Sequence, residues 1–245
     1  MLQLFNLILF QPLFNLLIFL YNFIPGHDLG LAIIILTVII KLILYPLAQQ
    51  SLKSQKALQE LQPKLDSLKK QFGHDKEKLA KEMMVLYKQE KVNPLSSCLP
   101  LLIQLPFLIA VYRVFASGLD PENLKWLYPF VTSPQTINAI SFGFLDLAKP
   151  NLVLAVLTGL AQFWQSKMLI VGRPPKGMSG AKDEQMMAMM NKQMLYFMPV
   201  FTVLISVRLP SGLVLYWLVM TLLTIFQQHF IFKKLKPVSP LSSAN

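Results

Sequence analysis

Charge is scarce in these 245 residues: 14% are charged, where a soluble domain carries about 25%. The shortage is uneven. Charged residues crowd into 51–93, 173–192 and 233–236, and long apolar runs separate them. That distribution excludes a soluble globular enzyme and a disordered chain. Cysteine is nearly missing too, and the single Cys98 excludes a disulfide scaffold. No Lys or Arg occurs in the first 24 residues, so the basic start of a secretory signal peptide is absent. The three histidines, His27, His74 and His229, are far apart and lack metal-ligand spacing. His-Glu-x-x-His, Gly-x-Ser-x-Gly and a glycine-rich phosphate loop are all missing. Ser211 has no base placed to activate it. No catalytic residue, cofactor or metal is expected, and the chain is not read as an enzyme.

What is present is apolar: 54% of residues are hydrophobic. The pattern predicts an all-α polytopic membrane protein with five transmembrane helices, Leu29–Leu47, Cys98–Phe115, Leu152–Ile170, Leu195–Val207 and Leu213–Phe232. The fourth run is short and crosses only if Met190–Met194 continue it. Leu-Pro-Ser-Gly at 209–212 predicts a tight turn into the fifth. The net charge of +11 would suggest nucleic acid in a soluble protein, but its location argues otherwise. Ten lysines lie in 51–97, four basic residues in 172–193, and Lys233, Lys234 and Lys236 in the tail. Lys125, Lys149 and Arg208 alone mark the opposite side. The positive-inside rule then places the lysine-rich loops and the C-terminus in the cytoplasm, and the N-terminus outside.

Five regions follow. Residues 1–26 are read as an N-terminal interfacial amphipathic helix, 27–50 as the first transmembrane helix, and 51–93 as a cytoplasmic helical hairpin. Residues 94–235 form the four-helix remainder of the core, and 236–245 a short cytoplasmic tail. In the first region Gln11, Asn15 and Asn22 fall four and then seven residues apart, on one helical face. A sixth spanning helix is the alternative, but it would bring the N-terminus inside with no positive charge to hold it. In the hairpin, Leu52, Leu58, Leu61, Leu65 and Leu68 recur at near-helical spacing, and Phe72-Gly73-His74-Asp75 breaks the run. Leu79, Met83, Leu86 and Tyr87 form the second stripe, and Pro63 should kink or interrupt the first arm.

Polar residues inside the spans are informative because each costs free energy in lipid. Lys41 lies twelve residues into the first span, about 18 Å deep at 1.5 Å per residue. A lysine there costs about 2.5–3.5 kcal/mol to insert, and it either faces a polar cavity or snorkels to the headgroups. Its neighbours favour the cavity. Thr37 lies one turn before it. Gln104 and Tyr112 share a face of the second span, with Arg113 adjacent, and Gln162 and Ser166 share one on the third. Trp217, Thr221, Thr224 and Gln228 make a continuous stripe on the fifth. Taken singly, each polar residue fits ordinary helix–helix hydrogen bonding. Seven of the twelve methionines fall within Met178–Met198, which reads as adaptable apolar packing.

Several runs together resemble the YidC/Oxa/Alb membrane protein insertases, in the shorter five-span bacterial form. They are Leu61-Gln62-Pro63-Lys64-Leu65, Glu82-Met83-Met84, Leu86-Tyr87-Lys88, and Val92-Asn93-Pro94-Leu95 leading to Cys98-Leu99-Pro100-Leu101-Leu102-Ile103-Gln104. A second block is Tyr196-Phe197-Met198-Pro199, Leu209-Pro210-Ser211-Gly212-Leu213, Leu215-Tyr216-Trp217 and Gln227-Gln228. The resemblance implies an insertase and chaperone of the bacterial plasma membrane, with a hydrophilic groove open to cytoplasm and lipid. Lys41 stands where bacterial members usually carry Arg, and Gln104, Gln162 and Trp217 would line the same groove. Implied partners are nascent membrane proteins and membrane lipids, with the Sec translocon, the ribosome and signal recognition components as further candidates and no nucleic acid read directly. The rival functions are a solute transporter or channel with a buried cationic site, and a membrane scaffold.

Overall fold

The computed structural model describes residues 2–93, 99–116, 126–134, 136–169 and 193–234. Helix α1 (Gln3–Phe23) contains a π-helical stretch at Asn6–Phe10. Pro12 follows at once. It has no N–H to donate to the preceding turn, so the ladder shifts register just before it. Gly26 and His27 adopt positive φ, +80° and 49°, and turn the chain into α2 (Leu29–Ile43). Asp28 caps α2, its Oδ1 accepting from the Leu31 N–H at 3.0 Å.

Expected as one straight span to Leu47, the first apolar run instead breaks at Leu44. The chain bends by 68° into α3 (Tyr45–Glu60). Pro46 in the first turn of α3 explains this, because its ring clashes with the carbonyl four residues back. Leu61 marks a second break before α4 (Gln62–Phe72), which again carries a proline, Pro63, in its first turn. Asp75 caps α5 (Lys76–Gln89), and Lys64 pairs with Glu90 across the α4–α5 hairpin. The polar insertion therefore has two parts. Helix α3 docks on the bundle, while α4 and α5 pack on each other, with Leu65 of α4, Leu79 of α5 and the preceding Leu61 buried.

The remaining elements are α6 (Leu99–Ala116), a two-stranded ladder of β1 (Ile140–Ser141) and β2 (Leu145–Asp146), and α7 (Leu152–Leu169). A π-helical turn at Gln193–Phe197 leads into α8 (Met198–Ser206), and α9 (Ser211–Lys234) completes the bundle. The ladder pairs Ile140 with Asp146 and Ser141 with Leu145. Helix α9 is central, packing on α7, α2 and α3. Helix α8 lies against α7 at Gly159, where an added Cβ would collide with the Val203 side chain. The expected turn at 209–212 is present, fastened by the Ser211 N–H to the Lys149 carbonyl (3.0 Å) and the Gly212 N–H to the Leu147 carbonyl (3.0 Å).

Among the described residues, α1 and α9 are long and apolar enough to cross a membrane, and the bent α2–α3 pair makes a third candidate. The apolar helices Gln104–Val114 and Leu195–Ser206 are shorter. Cys98, Ile170, the basic residues of 172–193, most of Met178–Met198 and the tail from Leu235 lie outside the described residues.

Helix α1 has the length and apolar character of a span, yet its side chains engage one end of the bundle. Leu13 and Leu17 close an apolar pocket with Ile33, Leu36, Val111, Val114 and Tyr216, from the start of α2, the end of α6 and the start of α9. Its polar stripe reaches the segment after α6. Gln11 and Asn15 donate to the Trp126 carbonyl at 3.2 and 2.8 Å, and Asn22 to the Thr132 carbonyl at 2.7 Å. Arg113 near the end of α6 donates to Asn6 at 2.8 Å. The α1 end of the bundle thus lies opposite the hairpin end.

Candidate functional site

Lys41 follows directly from α2's geometry. Twelve residues beyond Leu29, it sits about 18 Å into the bundle from the α1 end. Its Nζ donates to Thr224 Oγ1 at 2.9 Å. Thr224 is thirteen residues into α9, about 20 Å from the same end, so the two helices bring them to one level. The Thr224 hydroxyl proton goes to the Met220 carbonyl at 2.7 Å, leaving its lone pairs to the ammonium. Among the described residues no carboxylate pairs with Lys41. A half-buried cation is therefore held by a neutral hydroxyl, and its charge remains uncompensated.

Other expected residues form two further pairs. The Gln104 Nε2 donates to the Tyr216 hydroxyl at 2.6 Å, joining α6 to α9. The Thr202 hydroxyl donates to Gln162 Oε1, joining α8 to α7. Thr37 is fully buried, but its hydroxyl turns back to the Ile33 carbonyl at 2.6 Å, and Thr221 does likewise to Trp217 at 2.8 Å. Such back-bonding is the default for a hydroxyl on a buried helix. Trp217 and Ser166 are half-buried, while Tyr112 is exposed on α6. Gln228 is buried at 1% exposure, and its amide has no partner among the described residues.

Sequence reasoning missed Tyr216 and Thr202, the partners of the two glutamines. It also gave no site role to Gln227, which is 6% exposed with both amide atoms unpaired among the described residues. Tyr216 lay one residue outside the polar stripe on α9, and nothing in its spacing marked it. Another omission is Asp28. Its Oδ1 accepts from the Ser141 hydroxyl and its Oδ2 from the Phe142 N–H at 2.6 Å, clasping the β1–β2 turn onto the start of α2. The Gly30 N–H donates to Ser141 Oγ at 2.9 Å, and an added Cβ at Gly30 would collide with that oxygen.

Among the described residues the arrangement offers the unneutralised Lys41, several amides and hydroxyls, and no nucleophile beside a base. No group of three His, Cys, Asp or Glu side chains suited to a metal occurs among the described residues.

Comparison with known proteins adds the following. A family profile described as "60Kd inner membrane protein" matches residues 19–238. A membrane protein insertase YidC of Fusobacterium nucleatum is 38% identical over 207 residues, covering 84% of this chain and 87% of the relative. Another, from Magnetococcus marinus, is 36% identical over 226 residues, 92% of this chain but 36% of the relative's length. A solved structure titled "Active YidC insertase crystal structure with the first transmembrane domain resolved" aligns at a TM-score of 0.53 with 28% identity. It covers 82% of this chain and 41% of that one.

Proposed function

The chain belongs to the 60Kd inner membrane protein family, and from that premise we propose that it is a membrane protein insertase working through Lys41. The observation that carries this reading is the Lys41–Thr224 contact, a mid-bundle cation with no carboxylate partner among the described residues. Such a group costs free energy in a membrane and persists where it meets a polar ligand. An acidic segment of a nascent membrane protein is that ligand. It is drawn to Lys41 while its apolar helix slides into lipid, where partitioning supplies about 0.3–0.6 kcal/mol per strongly apolar residue. The proposed groove is lined by Lys41, Gln104, Gln162, Trp217 and Thr224, with Thr37, Tyr112, Ser166, Thr221 and Gln228 as the remaining candidates. No nucleotide or metal enters this scheme.

Five spans place the hairpin end in the cytoplasm, following the ten lysines of 51–97. Helix α1 then lies on the outer surface as an interfacial helix. Two observations support this over a sixth span: its polar stripe bonds the segment after α6, and Arg113 at the end of α6 reaches Asn6. The hairpin is proposed as the receiving element for substrates or for ribosomal, signal recognition or Sec components.

The test is insertion of a small single-span substrate with an acidic external segment into liposomes holding only this protein. Protease-protected substrate, lost on Lys41→Ala, supports the proposal. Equal insertion by protein-free liposomes would overturn it, and flux of a small solute through the same vesicles would favour a transporter.

A further inference from the structure

Gln227 and Gln228 near the hairpin end of α9 have no role in the scheme above beyond the general place of Gln228. Their exposures are 6% and 1%, and neither amide oxygen nor nitrogen has a partner among the described residues. Buried polar groups are normally hydrogen-bonded, and an orphaned one costs the full desolvation of its donors and acceptors. Two adjacent orphans on the central helix are a concentration of unused hydrogen-bonding capacity. Gln228 lies four residues beyond Thr224, one turn or about 6 Å toward the hairpin end.

Helix α3 packs against this part of α9. Its Leu52 is 3% exposed, and its Lys56 Nζ donates to the Phe232 carbonyl at 2.9 Å, one turn beyond Gln228. The Gln59 amide reaches the Met168 carbonyl of α7 at 3.4 Å. This cover is attached to the bundle's interior through the sharp break at Leu44. The stretch of α9 that carries the buried amides is thus packed by an element joined to the core at a bend.

We propose that Gln227 and Gln228 form a second substrate subsite, which takes the main chain of an extended, uncharged polypeptide segment once α3 lifts away. The chemistry selects this ligand. A primary amide offers two N–H donors and a carbonyl acceptor, matching the acceptor and donor of a peptide group. Neither side chain carries charge, so an anionic headgroup gains nothing over a neutral one. Lys41 holds a substrate's carboxylate, and the glutamine pair holds the backbone that follows it toward the cytoplasm. This inference rests on the insertase reading and names what that groove binds at its inner end.

The experiment uses the full chain in proteoliposomes and a single-span substrate with one photoreactive leucine next to its acidic segment. Crosslinked peptides are mapped by mass spectrometry. Crosslinks are expected both in residues 217–224 and in residues 225–232. Q227M/Q228M keeps side-chain volume and removes the amides; it should cut the 225–232 crosslinks at least fivefold and leave those at 217–224. K56M/Q59L frees the cover and should raise the 225–232 yield. Wild-type crosslinks at 217–224 with none at 225–232 would overturn the subsite and leave the insertase reading standing. Undiminished crosslinking in Q227M/Q228M would show that the amides hold water alone, which also overturns it. No crosslinks anywhere would sink the insertase reading itself. The wild-type map decides the matter even if the double variant misfolds.

Discussion

Lys41 on α2 and Thr224 on α9 meet at one depth in the bundle, ammonium to hydroxyl at 2.9 Å, although 183 residues separate them. The hydroxyl fixes where the charge points without neutralising it. A substrate carboxylate at ~5 Å, with an effective dielectric near 20, gains about 3 kcal/mol before desolvation.

Substitutions at Lys41 should follow charge. Lys41→Arg is expected to retain insertion, Lys41→Ala to lose it about tenfold for substrates with acidic external segments, and Lys41→Glu to be worse through like-charge repulsion. Neutral substrates should be least affected. Insertion rates across the three variants, with protein levels measured alongside, check this. Wild-type rates for the alanine variant with acidic substrates would reject the electrostatic role.

Removing the acceptor separates orientation from charge. Thr224→Val keeps the shape and leaves Lys41 without its partner. Destabilisation of about 1–3 kcal/mol is expected, read as a lowered thermal midpoint in detergent. Insertion of acidic substrates should persist, because the positive charge is still there.

Asn15 ties α1 to the segment after α6. It donates to the Gln11 and Trp126 carbonyls, both at 2.8 Å, and accepts from the Tyr128 N–H at 2.6 Å. Asn15→Ala leaves the part-buried Tyr128 N–H without its acceptor and the Trp126 carbonyl with only the longer bond from Gln11. A loss of about 1–3 kcal/mol is expected, with faster hydrogen exchange in α1 than in α9. Unchanged exchange in α1 would show that its apolar face alone holds it.

The Asp28 clasp should respond to acid. Burial by itself would raise this carboxyl, but hydrogen bonds from the Ser141 hydroxyl and the Phe142, Leu31 and Gly30 N–H groups outweigh it and hold it below the usual 3.8. A depressed folded-state value means that the clasp contributes fully above pH 3.8 and is lost as pH falls through the lower folded value. Wild type should therefore melt above Asp28→Asn at neutral pH, and the gap should close as pH falls below 3.8. A gap that persists there would rule the carboxylate out as its source.

Hydrogen exchange should divide the polar insertion at Leu61. Helix α3 is anchored by Lys56 and Gln59, whereas α4 and α5 pack chiefly on each other. Exchange in nanodiscs should be fast over 62–89 and slow over 47–60. Protection of 62–89 equal to that of α9 would contradict this division.

Lys41 and Thr224 were legible because a mid-span lysine and a threonine on a polar stripe stand out against an apolar background. The mostly helical character followed from the same apolar runs, whereas the short β1–β2 ladder departs from the all-α expectation. Other features were hidden for physical reasons. The bend at Leu44 needed Pro46 to be read as a start signal, and the apolar run through Leu47 masked it. Gln104 and Gln162 were found, but their partners Tyr216 and Thr202 depend on how α6 and α8 approach α9 and α7, which no local spacing encodes. Asp28 and Ser141, 113 residues apart, meet through a turn whose position is set only by tertiary packing.

The stripe of Gln11, Asn15 and Asn22 bonds backbone atoms of the segment after α6, at the Trp126 and Thr132 carbonyls and the Tyr128 N–H. A main-chain carbonyl is common to all twenty amino acids and an N–H to all but proline, so these hydrogen bonds are made without regard to the side chains there. Substitution at the exposed Pro129 and Thr132 should be cheap, whereas inserting or deleting one residue between Trp126 and Thr132 would throw the bonds out of step. The core-facing residues are the exceptions: the Trp126 ring meets Phe10 edge-on at 6.3 Å, Val131 is buried, and Leu127 and Tyr128 pack against the core. The cap is held by spacing as well as by packing, which leaves its exposed positions free to drift in sequence while its length stays fixed.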